Sequence, residues 1–261
     1  MSFGIPFSYI HRFVVNMFGL FKKKVKSETP FVFPKVDIHS HLIPGIDDGS
    51  PDMDTTISYL RALKELGYEK VITTPHVMID QYQNNKEIIL YGRDAVREAI
   101  TSKDLKIDFD AAAEYFLDEQ FIYLIKQNEL LHFGKDKYVL FEMSFMQESL
   151  AIERVIFELL SKGYTPLLAH PERYNYYLRN YDRLFKFKEL GCKFQLNINS
   201  LTGYYGSKQK ELGVILLKEG LVDLLGTDLH HERHLNTLRS LKITAYSELL
   251  NSVIKQNNEL L

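Results

Sequence analysis

Two histidines one residue apart, His39 and His41, close a short apolar run in the stretch VDIHSHLIPGIDDG, Val36 to Gly49, and lead into a turn at Asp47, Asp48 and Gly49. Side chains at i and i+2 of an extended chain share a face, so both imidazoles can converge on one point, where a metal ion is the natural occupant. The same spacing recurs near the other end of the chain as Asp228 and His230, in GTDLHH. Between the two pairs stand His76, Glu114, Glu142 and His170. Singly, each has an ordinary alternative: His76 as a turn residue after proline, Glu114 as a helix cap, His170 as a satisfied core histidine. Together, all eight fall at or just after the carboxyl end of an expected strand, and in a parallel barrel those ends share the face on which active sites are built.

Mixed imidazole and carboxylate donors suit Zn, Mn or Fe rather than Ca or Mg, and no thiolate is on offer. So many donors exceed the needs of one ion, which implies two or three. Such sites lower the pKa of a water molecule and neutralise phosphoryl oxygens, so the expected chemistry is hydrolysis. Arg173, three residues after His170, and Arg233, three after His230, are suited to grip a phosphate; a surface salt bridge is the alternative for either.

The elements that must position these residues alternate. Ser50 and Pro51 are expected to cap a helix whose apolar spacing (Met53, Ile57, Leu60, Leu63, Leu66) runs to Gly67. Strands are expected at Lys70 to Thr74, Ile107 to Ala113, Tyr138 to Phe141, Thr165 to Ala169, Lys193 to Ile198 and Leu221 to Leu225. Helices are expected near Glu87 to Ser102 (Ile88, Val96 and Ile100 inward), Asp118 to Gln127, Glu148 to Ser161, Tyr181 to Leu190, Ser207 to Lys218, Leu235 to Leu241 and Ala245 to Gln256. With the run at His39 this makes seven strands. Alternation of this kind demands parallel pairing with right-handed crossovers, as a closed barrel or, alternatively, an open doubly wound sheet.

At 261 residues, 45% hydrophobic and 25% charged, the chain fits a single α/β barrel domain, and a net charge of −2 gives no reason to expect nucleic acid. The only cysteine is Cys192. No intrachain disulfide is available, a reducing, cytoplasmic compartment is expected, and Ile198 stands where a Cys-x5-Arg phosphatase loop needs arginine. Residues 1–35 form an extension ahead of the barrel at 36–261. His11 and Arg12 interrupt its apolar part and the basic run Lys22 to Lys26 follows it, the reverse of a signal peptide. A flexible tail is expected, with weak amphipathic membrane contact as the alternative; Met17 would itself serve as a start.

DIHSHLIPGIDDGS, TTPHV, AAAEYFLD, VLFEMS, LLAHPERY and GTDLHH, in that order, resemble the polymerase and histidinol phosphatase (PHP) superfamily. Within it they resemble the bacterial manganese-dependent protein-tyrosine phosphatases of capsule and exopolysaccharide synthesis. The resemblance implies a distorted (β/α)7 TIM-like barrel. It implies that His39, His41, Asp48, His76, Glu114, Glu142, His170, Asp228 and His230 hold two or three divalent ions, Mn foremost and Fe or Zn as alternatives. Arg173 would bind the phosphate, and Arg173, Asp48 and His230 are the candidate catalytic residues. The implied substrate is phosphotyrosine on a membrane-associated bacterial tyrosine kinase, with homo-oligomerisation left open. Tyr174, Tyr176, Tyr177, Tyr204 and Tyr205 are candidates for a shallow mouth of the site, with plain loop packing as an equal alternative, and His231 has no assigned role. A histidinol-phosphatase-like enzyme of small molecules and a non-catalytic phosphotyrosine- or kinase-binding regulator are the competing readings.

Overall fold

The computed structural model describes residues 31–241 and 246–261. In chain order the elements are β1 (Val36–Asp37), α1 (Met53–Glu65), β2 (Lys70–Thr73), β3 (His76–Val77), α2 (Lys86–Ser102), β4 (Asp108–Ala111), β5 (Glu114–Phe116), α3 (Glu119–Gln127) and β6 (Tyr138–Glu142). Then follow α4 (Ile152–Ser161), β7 (Thr165–Ala169), α5 (Asp182–Glu189), β8 (Lys193–Asn197), α6 (Ser207–Lys218), β9 (Leu224–Gly226), α7 (Glu232–Arg239) and α8 (Ser247–Asn258). All strand pairs are parallel, in a sheet of order β1-β2-β4 and a second of order β3-β5-β6-β7-β8-β9.

The division into two sheets has a local cause. Pro75 has no N–H to give a ladder, so the expected strand at Lys70 breaks into β2 and β3. Its neighbour breaks in step, at Ala112 and Ala113, into β4 and β5, so the expected strand Ile107 to Ala113 is shorter and Glu114 opens a new one. Hydrogen bonds from Ala112 N to Thr73 O (2.9 Å) and from Glu114 N to Pro75 O (3.0 Å) carry the pairing across the break. The sheet is curled far enough to bring its first and last strands together. His41 N donates to Leu229 O at 3.0 Å and Asp228 N to His39 O at 2.7 Å.

Below those contacts the edges of β1 and β9 are joined by side chains. The buried carboxylate of Asp37 accepts from Thr227 N and Thr227 Oγ1, both at 2.9 Å. Asn257, on α8, accepts from Leu225 N (2.9 Å) and donates to Leu225 O (2.8 Å) and Val36 O (3.1 Å). The apolar core is continuous from Val36 through Ile254 and surrounds this seam.

Helix boundaries differ from expectation where polar chemistry intervenes. The cap of α1 is Asp52, whose side chain accepts from Thr55 N, while Ser50 is buried and bonded to Asp52 O. In α2 the inward residue is Ile89, with Ile88 40% exposed. Helix α4 begins four residues later than expected because Glu148 pairs with Arg183 instead of opening it. Leu221 to Asp223 lie outside β9, and the last strand runs only from Leu224. The tail expected over residues 1–35 falls, up to residue 30, outside the described residues, as does the expected start of the last helix at Ala245. Among the described residues no helix is long and apolar enough to cross a membrane.

Two substitutions test the seam. Asn257→Leu leaves Val36 O and both Leu225 backbone groups unpaired, and is expected to lower the unfolding free energy by about 3 kcal/mol in denaturant titration. A Cβ on Gly226 would come within 2.7 Å of His39 Cβ and of Gln195 Nε2. Gly226→Ala is therefore expected to cost about 1 to 3 kcal/mol by overpacking, seen as a lowered thermal midpoint.

Candidate metal centre

Most donors reach the site from the carboxyl end of a strand, while His76 and Glu114, expected at the ends of single strands, stand just past the breaks that end β2 and β4. His39 and His41 follow β1, His76 opens β3 and Glu114 opens β5. Glu142 ends β6, His170 follows β7, and Asp228 and His230 follow β9. Asp48 comes from the turn after His41, where the chain folds back so closely that a Cβ on Gly49 would lie 2.1 Å from His41 O. The turn therefore requires glycine. All nine candidate donors come together. Four overlapping groups, each with ligand atoms within 4.8 Å of one another, include every one of them: His41, Asp48, His76 and His230; His39, His41 and Asp228; His39, Glu114 and His170; and His76, Glu114 and Glu142.

Their inward atoms are aimed by outer contacts. His39 Nδ1 meets Gln195 Oε1 at 2.9 Å, which leaves Nε2 facing Glu114 at 3.2 Å and Asp228 at 3.4 Å. His41 Nδ1 meets Asp47 Oδ2 at 2.8 Å, and that carboxylate also accepts from His76 N at 3.1 Å. His230 Nδ1 lies 3.0 Å from Asp228 O, with Nε2 3.4 Å from Asp48. Asp228 is divided between its two oxygens. Oδ2 takes Arg173 Nη1 at 2.6 Å and Asn197 Nδ2 at 2.7 Å, while Oδ1 faces His39, His41 and His230. His170 and Asp228 both adopt left-handed backbone (φ 34° and 51°), a conformation that costs free energy for a non-glycine residue and gathers at functional sites.

The donor set fits divalent cations. Both buried carboxylate oxygens of Glu114 and the Nδ1 atom of His76, which faces Glu114 and Glu142, lack hydrogen-bond partners, a costly condition that a cation among them would relieve. Burial opposes charge on His39, but Glu114 and Asp228 outweigh it and hold that imidazole up at about 9. His76 is likewise held up at about 10, burial again overcome by Glu114 and Glu142. His41 goes the other way, to about 4, through burial and the charge of His230. Glu114 and Asp228, despite burial, are held well below the usual carboxylate range by His39 and its neighbours.

Above the donors opens a pocket of about 420 Å³. Seven donors line it, with His39 and His41 fully buried beneath. Its walls include Tyr82, stacked on His76 at 5.3 Å, and Arg173, whose Cζ lies 4.9 Å from the Phe145 ring and 4.2 Å from the Tyr205 ring. Arg233 is not brought into it. Helix α7 turns that side chain outward, exposed, over the Tyr204 ring at 5.7 Å. Of the candidate mouth tyrosines, Tyr205 lines the pocket, but Tyr174 and Tyr177 are core residues, bonded to Met143 N and Glu148. Tyr176 belongs to a separate groove. His231 caps α7, its Nδ1 accepting from His234 N at 3.4 Å.

Sequence reasoning missed the residues behind the donors: Asp47, Gln195, Asn197, Phe145 and His234. A signal for two of them exists. Gln195 and Asn197 are polar residues inside a strand buried on both faces, where a parallel sheet normally carries an unbroken apolar run. Cys192 is buried with its thiol pushed up by desolvation, and it lines no part of the pocket.

Known proteins share this arrangement of sequence and fold. Residues 35–254 match the family model described as capsular polysaccharide synthesis, CpsB/CapC. The chain is 27% identical to the tyrosine-protein phosphatase YwqE of Bacillus subtilis over 230 residues, 87% of this chain and 91% of that one. It is 26% identical to the putative tyrosine-protein phosphatase CapC of Staphylococcus aureus over 225 residues, 84% and 88% of the two chains. Its fold matches a crystal structure from the pair YwqE of Bacillus subtilis and CpsB of Streptococcus pneumoniae, described as metal-dependent tyrosine phosphatases. The TM-score is 0.74 at 24% identity, over 85% of this chain and 94% of that one. With the match running through every strand that carries a donor, this chain belongs to the CpsB/CapC family.

Proposed function

We propose that this protein is a metal-dependent phosphatase of phosphotyrosine in proteins. The observation that carries the reading is the convergence of nine imidazole and carboxylate donors on the floor of one pocket whose wall holds Arg173. The relatives named as tyrosine-protein phosphatases supply the substrate class, and the family description places it in capsule synthesis. The strand order, with the breaks at Pro75 and Ala112 treated as kinks, supports a distorted seven-stranded (β/α) barrel. The target we propose is a membrane-associated bacterial tyrosine kinase, met on the cytoplasmic side, with no nucleic-acid partner.

His39, His41, Asp48, His76, Glu114, Glu142, His170, Asp228 and His230 would hold two or three divalent ions, manganese foremost. When bound, these supply positive charge against phosphoryl oxygens and lower the pKa of the attacking water. The protein's own groups do the rest. Asp47 and Gln195 fix the faces that His41 and His39 present, as outer partners do at metal sites generally. Arg173 is anchored at one edge by Asp228 and clamped between two aromatic rings, so its remaining N–H groups are pre-aimed at a phosphate. A phenolate leaves with a pKa of about 10, and no nucleophilic cysteine is required. Arg233, over Tyr204, is placed to touch polypeptide beyond the phosphotyrosine rather than the phosphate itself.

Purified protein with manganese is expected to hydrolyse a phosphotyrosyl peptide at least about tenfold faster than histidinol phosphate, and to lose that activity to a chelator. Preference for histidinol phosphate would favour the small-molecule reading, and turnover of neither would favour a binding role. A second expectation concerns protons. His39 and His76, raised from 6.5 to about 9 and 10, stabilise the metal-free fold fully below about pH 6.5 and lose that contribution as pH rises through those values. Loading at pH 7.5 must displace their protons, so calorimetry in buffers of different ionisation enthalpy should register release of about two per protein. The release should fall as pH climbs past 9.

A further inference from the structure

Tyr205 stands just beyond a 3₁₀ turn, Ile198–Thr202, with its ring beneath the Arg173 guanidinium. Among the described residues its hydroxyl has two hydrogen-bond partners, and both can be assigned as donors. Asn197 Oδ1 accepts from Asn199 N at 3.1 Å, which fixes the amide so that Nδ2 faces the other way. Nδ2 then donates to Tyr205 Oη at 3.1 Å and to Asp228 Oδ2 at 2.7 Å, using both amide protons. The second partner is His234 Nε2, 3.4 Å from Oη. The tautomer of that ring is set by the main chain. His230 N lies 3.3 Å from His234 Nδ1, and a backbone N–H can only donate, so Nδ1 carries no proton and Nε2 does. His234 is itself held in place by the cap at the start of α7, where His231 accepts from its N–H.

Both acceptor positions of the Tyr205 oxygen are thus filled by N–H donors, and its own O–H proton has no acceptor among the described residues. The residue lines the same pocket wall as Arg173. We propose that the Tyr205 hydroxyl donates a hydrogen bond to a non-bridging phosphoryl oxygen of the substrate, beside Arg173, with Asn197 and His234 as positioning residues that point its proton into the pocket. The inference rests on the phosphomonoesterase reading above. No bond to Tyr205 forms or breaks: the proton stays on Oη, and the hydrogen bond strengthens as charge builds on the phosphoryl oxygen.

Tyr205→Phe removes the donor and keeps the ring under Arg173. Across a series of aryl phosphates, kcat/KM is expected to fall about 10²-fold and by the same factor whatever the acidity of the leaving phenol. The dissociation constant of inorganic phosphate is expected to rise about tenfold or more, with metal content as in the wild type and a lowered thermal midpoint, because Asn197 Nδ2 and His234 Nε2 lose their shared acceptor. In the metal-free wild type, nitrogen-15 spectra should show His234 as the Nε2–H tautomer. Unchanged kcat/KM together with unchanged phosphate affinity would overturn the proposal. So would a loss that grows with leaving-group pKa, which would place the hydroxyl on the leaving oxygen, or an Nδ1–H His234. A wild type that turns over no phosphomonoester sinks the functional reading alone, because phosphate affinity and the His234 tautomer still decide the role of Tyr205.

Discussion

The arrangement depends on closing the first strand against the last. His39 and His41 come from the start of the chain, Asp228 and His230 from near its end, and they share donor space only because β1 and β9 are held side by side. Backbone pairing there is sparse, and polar side chains make up the difference. Asp37 fills Thr227 and Asn257 fills Leu225 and Val36, all inside the apolar core. Asp37 carries the electrostatic load: burial raises it to about 6 although the Thr227 bonds pull the other way. A buried carboxyl in that position, two residues before His39, ties the stability of the fold to the geometry of the site. Gly226 belongs to the same seam, since only a residue without Cβ lets β9 lie against His39 and Gln195.

A cluster of buried carboxylates and imidazoles is unfavourable as bare protein. Removing such charges from water costs several kcal/mol each unless partners replace the lost hydration. The chain pairs the outer atom of each of His39, His41 and His230 with a protein acceptor, and leaves the inward atoms and both oxygens of Glu114 facing one another. Stabilisation is therefore drawn from the surrounding core, and the inward faces remain available for cations. The strained backbone at His170 and Asp228 follows the same division, because both residues turn off a strand end at the point where the donor must bend inward.

The positions of the donors were legible because strand ends in parallel α/β folds have a fixed relation to the active face. HxH after an apolar run, His after Thr-Pro, and Asp-x-His after a Gly-Thr strand end each pointed, without knowledge of its neighbours, to residues that the structure brings into one cluster. What was hidden depended on pairs far apart in sequence. Gln195 reaches His39 across 156 positions, and Asn197 reaches Asp228 across 31. Local periodicity says nothing about such partners. Strand breaks were obscured for another reason: Pro75 was visible, but the matching break at Ala112 and Ala113 follows from pairing with β2, not from its own residues. For Tyr174 and Tyr177 the loop sequence left a place at the mouth and plain packing both open, and the structure takes the second, because each hydroxyl finds a partner, Met143 N or the half-buried Glu148, that lets the ring join the core.

The difference between Arg173 and Arg233 shows why spacing from a histidine is too weak a guide. Both lie three residues after a candidate donor, but His170 is followed by a 3₁₀ turn, Pro171–Arg173, and His230 by a capped α-helix. The tight turn, with Arg173 N bonded back to His170 O at 2.9 Å, swings the arginine over the donors. The helix instead points its second residue to solvent and its third, His234, inward. Position three after His230 is thus outside and position four inside. The residue facing the pocket from that helix is a histidine whose one remaining proton is directed at Tyr205. The pocket wall beside that helix is consequently built from Arg173 and the Tyr205 hydroxyl, with Asp228 Oδ2 holding Arg173 directly and Tyr205 through Asn197.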